Sequence, residues 1–78
     1  PITTLRYDLL EDAFVCIIIY DLLGNVVSNL VSKSENLGPK SVQWNATNNQ
    51  GQSVSAGVYL YSIESGGLID TKKMILLR

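Results

Sequence analysis

Hydrophobic residues recur along this chain with a period of two, not 3.6. In "TTLRYDL", Leu5, Tyr7 and Leu9 alternate with Thr4, Arg6 and Asp8, the mark of a half-buried strand. "FVCIIIY" is apolar on both faces and β-branched, and reads as a strand bounded by Asp12 and Asp21. "LLGN" follows as a turn, because Gly24 and Asn25 tolerate positive φ. "VVSNLV" predicts a third strand, "SKSENLGPK" a loop, and "SVQW" a short strand with Val42 and Trp44 on one face. After an Asn-rich loop, "VYLYSIE" places Tyr59, Tyr61 and Ile63 together. Gly66-Gly67 makes a hairpin turn, and "LIDTKKMILL" is the last strand. No capped helical period occurs.

The pattern predicts six strands, or seven if residues 53–55 pair. With turn signals every eight to twelve residues or so, it favours an all-β, immunoglobulin-like antiparallel β-sandwich over a barrel or an α/β fold. No Cys-Trp-Cys framework is present, so the domain is not of antibody type. Tyr59 reads first as an ordinary core tyrosine, with a tyrosine corner as the alternative.

Composition narrows the function more than the fold. The 78 residues make one domain, residues 1–78. A domain so small buries only about 60% of the surface of its unfolded chain. Hydrophobic residues at 46% are too many for a disordered segment. A net charge of −1 supplies no basic stripe for nucleic acid. The longest apolar run, Ala13–Tyr20, is far short of the roughly 20 residues a membrane helix needs. The chain has no initiator Met and no signal peptide, so Pro1 reads as a processing boundary. With no His and a single Cys, Cys16, neither an internal disulfide, nor the usual zinc sets, nor a Ser-His-Asp or Cys-His site can be assembled. No carboxylate pair or lysine is convincingly placed for catalysis. The expectation is a non-enzyme without cofactor or metal.

Five short motifs, at residues 3–7, 20–24, 44–48, 57–59 and 72–74, stand in order along the chain. They read Thr-Thr-Leu-x-Tyr, Tyr-Asp-x-x-Gly, Trp-Asn-x-x-Asn, Gly-Val-Tyr and Lys-Lys-Met. Together they resemble the C-terminal sorting domain of type IX secretion cargo, which is similar to the immunoglobulin-like domain of the flagellar hook-capping protein. The resemblance implies a secretion address at the end of a larger exported protein, secreted or held at the cell surface. Its implied partners are the outer-membrane type IX secretion machinery, a sortase-like peptidase and an N-terminal cargo domain. Rival readings are a structural assembly module of hook-capping type and an accessory domain bracing a catalytic neighbour.

Three features then acquire alternatives. Members of that family often carry Asp in the loop after Trp44. Here Asn45, Asn48 and Asn49 stand instead, and uncharged amides make poor calcium ligands, so tight turns are the better reading. The sequon Asn45-Ala46-Thr47 is coincidental in a bacterial family. Lys72, Lys73, Met74, Ile75, Leu76, Leu77 and Arg78 read either as a lysine-protected edge strand or, as the resemblance implies, as the strip the secretion machinery recognises. Phe14, Cys16 and Ile18 fall where related sequences show polar residues. They read as an outward apolar contact strip able to form a homodimer, with cover by the second sheet as the alternative.

Overall fold

In the computed structural model, which describes residues 2–77, six strands form, and there is no helix among the described residues. They are β1 (Thr3–Leu9), β2 (Ala13–Tyr20), β3 (Val26–Glu35), β4 (Gly38–Trp44), β5 (Gly57–Ser65) and β6 (Leu68–Leu76). β1 and β4 pair as a two-stranded antiparallel sheet, and β3-β2-β5-β6 make a four-stranded antiparallel sheet in that order. The small sheet lies on the large one, and the core fills the space between them.

The alternation read from the sequence sets the inward faces. Val15, Ile17 and Ile19 of the inner strand β2 have no exposed surface, and Leu5 and Leu9 of β1 face them from the small sheet. Tyr61, Ile63 and Met74 pack on that core from β5 and β6. β3 departs from clean alternation. Its register against β2 shifts between Ile17 and Ile18 and again between Ile19 and Tyr20. Each bulge inserts one residue, so Leu30 packs on the core beside buried Val31, and Val27 beside buried Ser28.

The stretch read as a nine-residue loop is mostly strand. β3 continues to Glu35 and β4 begins at Gly38, leaving only Asn36 and Leu37 between them. The chain here steps directly from one sheet to the other, held where the Leu37 amide donates to Asp12 Oδ1 at 2.8 Å. Pro39 is accommodated because β4 is an edge strand, paired only with β1. Residues 53–55 do not form a seventh strand; Ser53 makes a single antiparallel bridge to Thr47. The Gly66-Gly67 turn is as expected, with φ of 55° and 83°, the two positive values a two-residue type I′ hairpin needs.

Side chains clamp the two sheets at opposite ends. At one end Trp44 is buried against Tyr59, ring centroids 5.4 Å apart and planes at 73°. The indole Nε1–H donates to the Thr47 carbonyl at 2.9 Å, so the ring is buried without an orphaned donor. Tyr59 Oη donates to the Ser55 carbonyl four residues upstream at 2.6 Å, the bond of a tyrosine corner, so the alternative reading of this residue holds. At the other end Tyr7 Oη of β1 donates to Glu35 Oε1 of β3 at 2.6 Å. The other carboxylate oxygen of Glu35 lies 3.8 Å from Lys33 Nζ.

Two outcomes follow. Trp44→Ala should cost about 3–5 kcal/mol, a large part of the stability of so small a domain, and a thermal melt reads it; an almost unmoved melt contradicts the packing. Burial, with the Glu35 hydrogen bond and charge, raises the Tyr7 phenol above its ordinary value. A raised phenol stays protonated in the fold while the unfolded chain ionises near pH 10. Its contribution is therefore complete below about pH 10 and is lost as pH climbs beyond it. Tyr7→Phe should flatten the fall in melting temperature above about pH 10, while leaving the profile at neutral pH parallel to that of the parent.

Candidate functional site

In the Asn-rich loop, residues 45–56, the Asn45, Asn48 and Asn49 side chains are all engaged by hydrogen bonds within the protein. Asn48 Oδ1 accepts the amides of Gln50 and Gln52, both at 3.0 Å, and the Asn48 amide donates to the Gln52 carbonyl at 2.9 Å. This closes a tight turn with Gln50 and Gly51 at its tip. Asn45 Oδ1 accepts the Thr47 hydroxyl. Ala46 is buried at φ 61°, a conformation costly for a residue with a Cβ and held here by its neighbours. Its carbonyl accepts the Val54 amide at 2.9 Å.

Asn49 reaches out of the loop to β3. Its amide donates to the Val27 carbonyl at 3.0 Å, and its Oδ1 accepts the Asn29 amide at 2.9 Å. One residue thus presents a donor and an acceptor to β3 as a neighbouring strand would. The amide oxygens that could have faced a cation each accept a hydrogen bond from the protein instead. The loop serves as a turn and as a cover for part of an edge.

The closing strand divides by face. β6 is the outermost strand of the large sheet and pairs only with β5. Met74 is half-buried and Leu76 is 2% exposed, so both belong to the core and leave no continuous apolar strip. Ile75 and Leu77 are exposed, as are Lys72 and Lys73. Lys72 Nζ lies 3.9 Å from Asp70 Oδ2, a solvated pair of little energetic weight. Arg78 lies outside the described residues.

β2 divides the same way. Opposite its buried residues, Phe14 is 56% exposed, and Cys16 and Ile18 are half-buried. The small sheet lies on the other side, so it does not cover them. Register extends this face across the sheet: Tyr20 stands beside Leu60, Cys16 beside Glu64, and Glu64 beside exposed Ile69. The apolar stripe on β2 is flanked by Ser34, Ser32 and Asn29 of β3 and by Ser62 of β5, and the face carries one carboxylate, Glu64, and one ammonium, Lys73.

The tip between β2 and β3 is built around Asp21. Its carboxylate accepts the Leu23 and Asn25 amides at 3.0 and 2.9 Å and the Asn25 side-chain amide at 3.1 Å. These bonds, the Asn25 amide foremost, hold its carboxyl below the usual carboxylate range. Among the described residues no group of three or more Cys, Asp or Glu converges as metal ligands would.

Asn49→Ala should leave the global melt nearly unchanged, because the bond it removes is exposed and worth about 0.5–1.5 kcal/mol. The Asn29 amide should exchange its hydrogen faster by about tenfold, read by native-state hydrogen exchange. Unchanged exchange would mean that the side chain does not cover the edge.

Comparison with known proteins adds the following. A family model described as the FlgD Ig-like domain matches residues 2–67. The solved structure of FlgD from P. aeruginosa superposes with a TM-score of 0.78 at 19% identity, covering 97% of this chain and 60% of that one. That likeness shows the fold. The chain spans less than two thirds of the length of that structure. Curated proteins give no match.

Proposed function

The chain belongs to the FlgD Ig-like domain family, and from that premise we propose that it is a non-catalytic structural module of a larger exported protein, of hook-capping type, assembling through the outer face of its large sheet. The observation that carries this reading is the outward apolar strip of Phe14, Cys16 and Ile18 on β2. An uncovered apolar stripe along an inner strand, flanked by small polar residues on its neighbours, is unusual for an isolated small domain and favours a contact. The occupant proposed is a second copy. Four strands about 4.8 Å apart, each about 25 Å long, give a flat footprint of roughly 500 Å². Side-chain relief brings that towards the roughly 800 Å² per partner of a standard interface. Glu64 and Lys73 balance in charge, so two such faces do not repel.

A second reading, a sorting signal read by type IX machinery, is favoured by one placement. β6 is a sheet-edge strand, and its exposed Lys72, Lys73 and Ile75 stand ready for strand addition. In this reading the outer-membrane machinery and a sortase-like peptidase are the partners.

One pair of variants separates the two. Ile18→Lys alters only the outer face, and the combined Lys72→Glu, Lys73→Glu, Ile75→Ser variant alters β6 without touching buried Leu76. Sedimentation of the chain, and surface export of a reporter fused to residues 1–78 in a host with type IX machinery, are measured for both. The assembly reading expects the parent to self-associate and Ile18→Lys to be monomeric, with export unaffected by either variant. A monomeric parent overturns it. Export that fails only in the β6 variant establishes the sorting signal.

A further inference from the structure

Two strands cannot cover four. In an immunoglobulin-type sandwich, strands A, B, E and D form one sheet and C, F and G the other, with C′ beside C in the larger variants. Here β2, β5 and β6 follow one another as C, F and G do, with β3 in the place of C′. β1 and β4 then hold the places of B and E, and the places beside them hold no strand among the described residues. The position beside B, that of strand A, coincides with a groove.

The groove has a volume of about 250 Å³ and runs between β1 and the inward side of β5 and β6 where the small sheet stops short. Leu9 of β1, Ile63 and Ser65 of β5, and Leu68, Asp70 and Lys72 of β6 line it. Leu68 is 77% exposed although register puts it on the inward side, in line with Ser65 and buried Val15. Ile63 is only half-buried for the same reason. Along the groove runs the backbone of β1, hydrogen-bonded on one side to β4 and free on the other among the described residues. Asn49 gives β3 a partial cover, and β1 has no such device.

We propose that this groove accepts one extended strand of a partner polypeptide, added antiparallel to β1 as a third strand of the small sheet. Three features define its chemistry. The free β1 edge asks for an extended backbone, because its amides and carbonyls alternate at strand spacing. The apolar floor at Ile63 and Leu68 asks for apolar side chains at alternate positions. The carboxylates of Asp8 and Asp70 outnumber the Lys72 ammonium, so cationic flanks suit it better than acidic ones. The width admits one strand, since the uncovered part of the large sheet is its outermost strand. This site is distinct from the outer face and stands whether or not that face self-associates.

The test titrates the chain with a synthetic peptide in which valines alternate with threonines between terminal lysines, followed by backbone amide NMR. Saturable shifts and slowed exchange should appear at β1 amides that face away from β4 and at Leu68. Leu68→Lys, at a position too exposed to matter for folding, should weaken binding at least tenfold, and Asp70→Lys should do so to a smaller degree. Thr71→Lys, exposed on the opposite face of β6 and outside the groove lining, should leave it unchanged. The proposal is overturned if no saturable change occurs up to millimolar peptide. It is equally overturned if the shifts map to another edge, or if Leu68→Lys binds as well as the parent.

Discussion

Burial of Trp44 is the constraint on which the rest of the molecule leans. The small sheet has only two strands to lay over four, so it must fill its share of the core with large side chains. Trp44 is the largest fully buried residue, and it sits where β4 ends and the Asn-rich loop begins. Its nitrogen needs a partner once water is gone, and the Thr47 carbonyl supplies one only if the chain turns sharply just after the ring. That turn puts Ala46 at positive φ and carries the loop over the end of the core. Tyr59, packed edge-on against the indole, is fixed in turn by the Ser55 carbonyl. Loop, corner and ring hold one another in place, and loss of any one loosens the other two.

Edges are the second concern of so small a sandwich, because two sheets leave four outer strands. The chain treats them unevenly. β3 is partly covered by Asn49, whose single residue mimics a strand. β4 carries Pro39, which removes one donor. β6 carries Lys72 and Lys73. β1 has its alternate residues turned into the core and no cover beside it. β1 also carries charge, in Arg6 and Asp8, but its free edge lies beside the groove with exposed Leu68, and this separates β1 from the other three.

The strands were legible in the sequence because their cue is local. Alternation in 3–9 and 57–65, and the Gly66-Gly67 turn before 68–76, need no knowledge of partners, and Trp44 with Tyr59 stands out by size alone. The outward placement of Phe14, Cys16 and Ile18 was also legible, since Val15, Ile17 and Ile19 can face only one way. What failed were features fixed by partners distant in sequence. "SKSENLGPK" looks like a loop by composition. It is strand because β2 and β1 offer it ladders on either side of Asn36 and Leu37. The bulges in β3 leave no local mark beyond an imperfect alternation. The Tyr59 hydroxyl bond depends on where residue 55 falls after a long loop. Leu76 reads as part of an exposed strip until register shows it opposite Gly57, where the small side chain leaves room over the core.

The same mismatch of two strands against four explains why the chain presents apolar surface in two unrelated places. On the inward side, the large sheet outreaches the small one and leaves Leu68 and Ile63 at a groove. On the outward side, nothing lies over Phe14, Cys16 and Ile18 at all. A fold selected only to stand alone would put polar residues at both, as the outer face of a solvated antiparallel sheet ordinarily does. Keeping exposed Leu68 and Phe14 there lowers solubility and adds little to the core. Such residues have a physical rationale only when another surface covers them. These two uncovered places are what the proposed assembly and strand-addition readings rest on, and both lie away from Trp44, so a partner could cover either without disturbing the packing that holds the sheets together.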